Sequence, residues 1–243
     1  MAIINSKGQL KGNIGPVTNR VVNGKNIMQV KGRKPKQTKN TKKAASDFGY
    51  ASKMCKVLRT SVVQIISKNH DNKLFIRFTT AATNLLKLNP TIPKGERTFM
   101  NTDMKGLIGF DFNINSPFTR YCQLPIQIEK ISDNQLAVTI PAFTTKEVFT
   151  FIEKTCIAKI GLTLISQPLI EYTRMVSKHY SFTTSLDTTN EAQQWITEIP
   201  SNENFNMIIA TLTFSNNYTG ENEISINNKD FNPSTILYID NGL

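Results

Sequence analysis

The sequence of 243 residues predicts an α+β chain in three parts: a basic arm with a β-hairpin over 1–46, a helical hairpin and connector over 47–104, and an antiparallel β-sandwich, Ig-like or jelly-roll-like, over 105–243. Three observations carry this. All of the net charge lies in the first 46 residues, apolar residues recur at steps of three and four between 47 and 89, and beyond 105 the apolar period becomes two. With 39% hydrophobic residues and fourteen Phe the chain can bury a real core, so wholesale disorder is excluded.

The net charge is +11. Residues 1–46 hold eleven Lys and Arg and no acid, whereas 47–243 hold eighteen of each sign. The remainder is graded, with nine bases against three acids over 47–100 and nine against fifteen over 101–243. A basic arm on a neutral body is expected to seek an anion; a solvated tail that aids solubility is the plainer alternative.

Within the arm, Gly8, Gly12 and Gly15-Pro16 read as extended chain with turns. Asn23-Gly24 between the β-prone runs 17–22 and 25–30 predicts a hairpin, because both central residues of a type I′ turn need positive φ. A two-stranded hairpin is marginal alone, so it should order against its own body or a neighbour. Residues 31–45 lack an apolar period and read as a basic link. There Lys31, Arg33, Lys34, Lys36, Lys39, Lys42 and Lys43 are the candidate anion- and partner-binding residues.

Ser46 or Asp47 is the expected cap of the first helix, whose stripe is Ala51, Met54, Leu58, Val62 and Ile65. Asp71 is the candidate cap of a second, with Leu74, Phe75, Phe78, Ala82, Leu85 and Leu86 apolar, although a strand over 73–79 is an open alternative. Pro90 and Pro93 close this segment. The alternations Phe110/Phe112/Ile114, Leu124/Ile126/Ile128 and Leu136/Val138/Ile140 predict strands, as do the runs 156–165, 169–183, 206–214 and 235–239. Tyr172, Arg174, Val176, Lys178, Tyr180 and Phe182 give one face a mixed character, which suits an edge strand. Thr145 to Lys154 fits a short helix or a loop.

Cys55, Cys122 and Cys156 form no C-x-x-C pair and are expected to be buried free thiols. His70 and His179 lie in no zinc, nucleophile-elbow or cysteine-hydrolase signature and read as surface histidines. Gly24-Lys25 completes no phosphate loop, and the carboxylates over 187–230 have no calcium-loop spacing. No catalytic residue, metal site or cofactor is therefore assigned. The sequon Asn217-Tyr218-Thr219 reads as chance, and Trp195 as a packing residue. No apolar run approaches the roughly 18 residues of a membrane helix. The opening Met1-Ala2-Ile3-Ile4-Asn5-Ser6-Lys7 lacks the apolar block of a secretion signal, so a cytoplasmic location, or a particle assembled there, is expected.

The series Gly12-x-x-Gly15-Pro16-Val17-Thr18-x-Arg20-x-Val22, then Asn23-Gly24-Lys25, then a Lys/Arg/Pro-rich link into a helix, resembles a Bacteroidetes-type family of uncharacterised proteins. The resemblance covers about the first 90 residues by motif and the rest by layout. It implies a Gly-Pro hairpin, a helical segment and a β-rich second half. That family has no established activity, so it implies no catalytic residues.

The expected function is that of a non-enzymatic structural subunit of a large particle, most concretely a phage virion or phage-like component. Its arm would clasp other copies or other subunits of the particle. The alternative is a nucleic-acid-associated protein, of a packaged genome or a ribosome surface, binding without sequence preference through residues 31–43. If about six phosphate contacts formed, affinity would fall on the order of a thousandfold between 50 and 200 mM salt. No aromatic lies within 1–47 to stack on bases. An enzyme with a scattered site is the third class.

Overall fold

Four short strands, β1 (Ala2–Ile4), β2 (Leu10–Ile14), β3 (Val17–Val22) and β4 (Lys25–Val30), form an antiparallel meander in that order. The structure is a computed structural model and describes residues 2–32, 36–152, 154–170, 174–201, 203–217 and 223–242. Asn23 and Gly24 turn between β3 and β4 with φ of 50° and 78°. The arm is thus a four-stranded sheet rather than a hairpin preceded by extended chain. The reason is Gly15-Pro16: with Gly15 at φ 52° it is itself a two-residue hairpin turn, pairing Ile14 with Val17.

The chain divides into two units, Met1–Lys39 and Asn40–Leu243. The expected boundary after residue 46 moves back because α1 spans Lys39–Ile65. Ser46 and Asp47 are interior to that helix and do not cap it; Asp47 Oδ1 instead accepts the Gly95 N–H at 2.9 Å. Next comes α2 (Leu74–Leu88), helical where a strand over 73–79 was the alternative. Its N-terminus has no side-chain cap; Asp71 Oδ1 accepts the N–H of Lys73, one residue before the helix.

The second unit continues with α3 (Phe118–Tyr121), β5 (Gln127–Ser132), β6 (Gln135–Ile140), β7 (Phe143–Thr144), α4 (Thr145–Val148), β8 (Ile157–Gln167) and β9 (Val176–Ser185). It ends with β10 (Thr189–Asn190), β11 (Gln193–Glu198), β12 (Phe205–Asn217), β13 (Glu223–Ser225) and β14 (Ser234–Asp240). The largest sheet has the order β13-β12-β8-β9, with β14 also on β12. A second has the order β11-β6-β5, and β10 pairs with β7. All pairings are antiparallel.

β12 explains how the layers meet. Phe205, Met207 and Ile209 join one apolar cluster with Leu58 and Val62 of α1 and Phe78 and Leu86 of α2. Ile208, Ala210, Leu212 and Phe214 alternate to the other face and share a cluster with Leu136, Val138 and Ile140 of β6. The helices therefore belong to the same unit as the sheets and form no separate 47–104 domain.

Two expected strands shift. Phe110 and Phe112 lie beside a single bridge, Asp111 to Thr235, rather than in a strand. Pro125 brings no N–H to a ladder, and β5 begins only at Gln127. β9 is an edge strand, with Tyr172 of the expected run outside the described residues.

Candidate functional site

The sites read from the sequence fall on three consecutive pieces of chain. Asn23 and Gly24 make the β3–β4 turn, and every residue of β4 is exposed. Exposed apolar side chains include Ile3 (70%), Met28 (68%) and Val30 (77%). β1 and β4 are the two edges of this sheet. An edge strand presents unpaired N–H and C=O groups, which another strand can satisfy.

Lys31 and Lys36 are exposed and outside regular structure, while Arg33 and Lys34 lie outside the described residues. Lys39, Lys42 and Lys43 were expected in an irregular link but stand exposed in the first turns of α1. That helix has no acid in its first turn. These lysines meet the positive end of the helix dipole and one another, two unfavourable effects that a bound anion would reverse.

Sequence reading missed the continuation of this row. At 3.6 residues per turn, Lys39, Lys42, Lys43, Lys53 and Lys56 fall within an arc of about 140°. The arc lies away from the buried stripe of Ala51, Met54, Cys55, Leu58 and Val62. Lys53 and Lys56 also line a cleft of about 570 Å³ that Arg174 and Gln167 share. The signal was available: once the helix is started at Lys39, the i, i+3 and i, i+4 spacings put these lysines on one side.

Elsewhere the chemistry is quiet. Burial pushes the Cys55 and Cys122 thiols up to about 12. Cys156 was expected to be buried and is exposed, standing just before β8. His179 Nδ1 lies 2.9 Å from Thr163 Oγ1, and His70 Nδ1 lies 2.9 Å from the Asp71 carbonyl. Among the described residues no group of three or more His, Cys, Asp or Glu side chains could hold a metal ion. No described helix is long and apolar enough to cross a membrane. Tyr218 and Thr219 of the sequon lie outside the described residues.

No protein-family model matches the chain, and the searches of curated proteins and of solved structures return no match.

Proposed function

We propose that this chain is a non-enzymatic structural subunit of a large particle, most concretely a phage virion or phage-like particle assembled in the cytoplasm. Its N-terminal sheet clasps a second copy of the same chain. The observation that carries this reading is β4, a strand exposed at all six positions on the edge of a small sheet with apolar side chains in solvent. Edges of this kind add strands from a partner, and the backbone hydrogen bonds so gained supply the affinity.

Charge supports the choice of a second copy. Residues 1–39 carry nine bases and no acid, while 101–243 carry an excess of six acids. A neighbour's β-rich half thus offers the opposite sign. In that half we read the two sheets that share one apolar cluster as a β-sandwich of Ig-like or jelly-roll-like type. A head-to-tail contact of this kind builds a ring if the rotation closes and a filament if it does not.

Light scattering of nuclease-treated protein tests the clasp. The full chain is compared with a chain starting at Asn40, whose apolar clusters draw only on residues from Tyr50 onward. The full chain should form a defined oligomer that survives about 500 mM salt, where exposed charges are largely screened. The shortened chain should be a monomer. Two monomers would sink the reading.

A further inference from the structure

The exposed lysines of α1 stand in two groups, Lys39, Lys42 and Lys43 at its start and Lys53 and Lys56 farther along. Its one acid, Asp47, is buried and takes the Gly95 N–H, so it adds no exposed negative charge to the row. The cleft of about 570 Å³ lies between this helix and the chain around β8 and β9. Lys53 and Lys56 stand on the helical wall, Arg174 and Ser177 on the other, with buried Ser61 and Gln167 at the floor. The floor is fixed: Ser61 Oγ donates to Gln167 Oε1 at 3.0 Å, and Gln167 Nε2 donates to the Pro168 carbonyl at 3.0 Å.

No carboxylate lines this cleft among the described residues. Neither Lys56 Nζ nor the Arg174 guanidinium has a hydrogen-bond or ion partner among them. A second cleft, of about 650 Å³, differs in this respect, because its cation Lys178 lies 3.4 Å from Glu198. Lys56 and Arg174, cations on a concave surface without a partner among the described residues, raise the local concentration of anions, and an arginine fork suits a phosphate with two parallel hydrogen bonds. The lining adds hydroxyl and amide groups but no aromatic ring, so it can hold a phosphate and has nothing on which a base would stack.

We propose that this cleft is a phosphate site, and that the lysine row of α1 extends it into a track for a nucleic-acid backbone, held without regard to sequence. From Lys42 to Lys56 the helix rises about 21 Å, the axial span of about six phosphates on one duplex strand. A row of that length fits a polymer better than a single phosphate. The proposal does not depend on the clasp, since its residues lie on α1 and before β9.

Fluorescence anisotropy of the full chain with labelled oligothymidylate and a mixed-sequence strand, each of about 20 nucleotides, tests it across a salt series. Both strands should bind equally. The double variant Lys56→Gln/Arg174→Gln should bind on the order of tenfold more weakly at about 50 mM salt, and its log–log salt slope should be shallower by about 1.4. Lys42→Gln/Lys43→Gln should lower the slope similarly. Unchanged Trp195 fluorescence melting would show that the variants fold, and light scattering of the same samples would read the clasp separately. An unchanged slope in Lys56→Gln/Arg174→Gln would overturn the proposal. So would pyrophosphate binding as tightly as the strands, which would mark a site for small phosphates only, or no binding of any strand at about 50 mM salt.

Discussion

Tyr180 on β9 and Trp195 on β11 stack with ring centroids 5.8 Å apart and planes inclined by 14°. Tyr180 Oη also donates to Gln193 Oε1 at 2.5 Å. The two strands belong to different sheets, so this pair joins their rims above the shared apolar cluster. Tyr180→Ala should cost about 2–3 kcal/mol, part from lost burial and part from the stack. Tyr180→Phe keeps the ring and should cost about 1 kcal/mol for the hydrogen bond. Urea unfolding followed by Trp195 emission measures both. Wild-type midpoints for the two variants would show that the stack holds nothing.

Acid should weaken the fold through two carboxylates. Burial raises the Asp71 pKa, but hydrogen bonds from Arg77, Ile114 and Lys73 and the guanidinium charge outweigh it and hold the group below its ordinary range. At Asp240 burial is likewise outweighed, by the Gly242 N–H and by Lys130 at 3.0 Å, with Lys105 adding charge. Both folded pKa values lie under the ordinary 3.8. Their stabilisation is therefore complete above that value and is lost as pH falls through the lower folded values. Thermal melts should be level near neutrality and fall in acid. Asp71→Asn should cost about 2–3 kcal/mol at neutral pH, less than a fully buried pair because Arg77 keeps 22% side-chain exposure. Its acid limb should also be flatter; an acid limb as steep as that of the wild type would remove Asp71 from the account.

What could be read from the sequence depended on which physical signal each segment carries. The stripe of Ala51, Met54, Leu58 and Val62 is a burial pattern, and it correctly locates α1 against the core. The first two turns of α1 are exposed on nearly every side, so apolar periodicity is silent there although Lys and Ala favour helix. That silence hid the alignment of Lys42 and Lys43 with Lys53 and Lys56. Phe110 and Phe112 misled in the opposite direction: their alternation is real burial, with both rings against Phe78. Yet their backbone meets β14 through a few bonds, such as Phe112 N–H to the Ser234 carbonyl at 2.9 Å, and makes no ladder. The cleft was beyond reach because Arg174 lies more than a hundred residues from Lys56 in the chain.

Thiol reactivity should separate the three cysteines. Burial keeps Cys55 and Cys122 protonated at neutral pH and out of contact with reagent, while Cys156 is exposed. The thiolate is the reactive form, so access and pKa act in the same direction for the buried pair. Ellman's reagent should titrate one thiol in the native chain and all three in denaturant. Cys156→Ser should remove the native signal. Rapid reaction of Cys55 in the native state would mean that α1 opens readily from the sheet.

The β4 edge can be blocked without touching the sheet behind it. Val22 and Lys25 flank a two-residue turn and pair with each other, and the Lys31 N–H donates to the Pro16 carbonyl at 2.7 Å at the far end. Hydrogen-bonded pairs alternate along an antiparallel ladder. The N–H groups of Ile27 and Gln29 therefore point to β3, and those of Asn26, Met28 and Val30 point out from the edge. Met28→Pro should remove one outward donor and obstruct strand addition while leaving the β3–β4 bonds intact, as proline is tolerated on the open side of an edge strand. Ile27→Pro is the contrast, because it takes a donor from the ladder itself. In sedimentation, Met28→Pro should turn the oligomer into monomer with the sheet's circular dichroism retained, whereas Ile27→Pro should lose both. An intact Met28→Pro oligomer would mean that the copies do not meet through this edge.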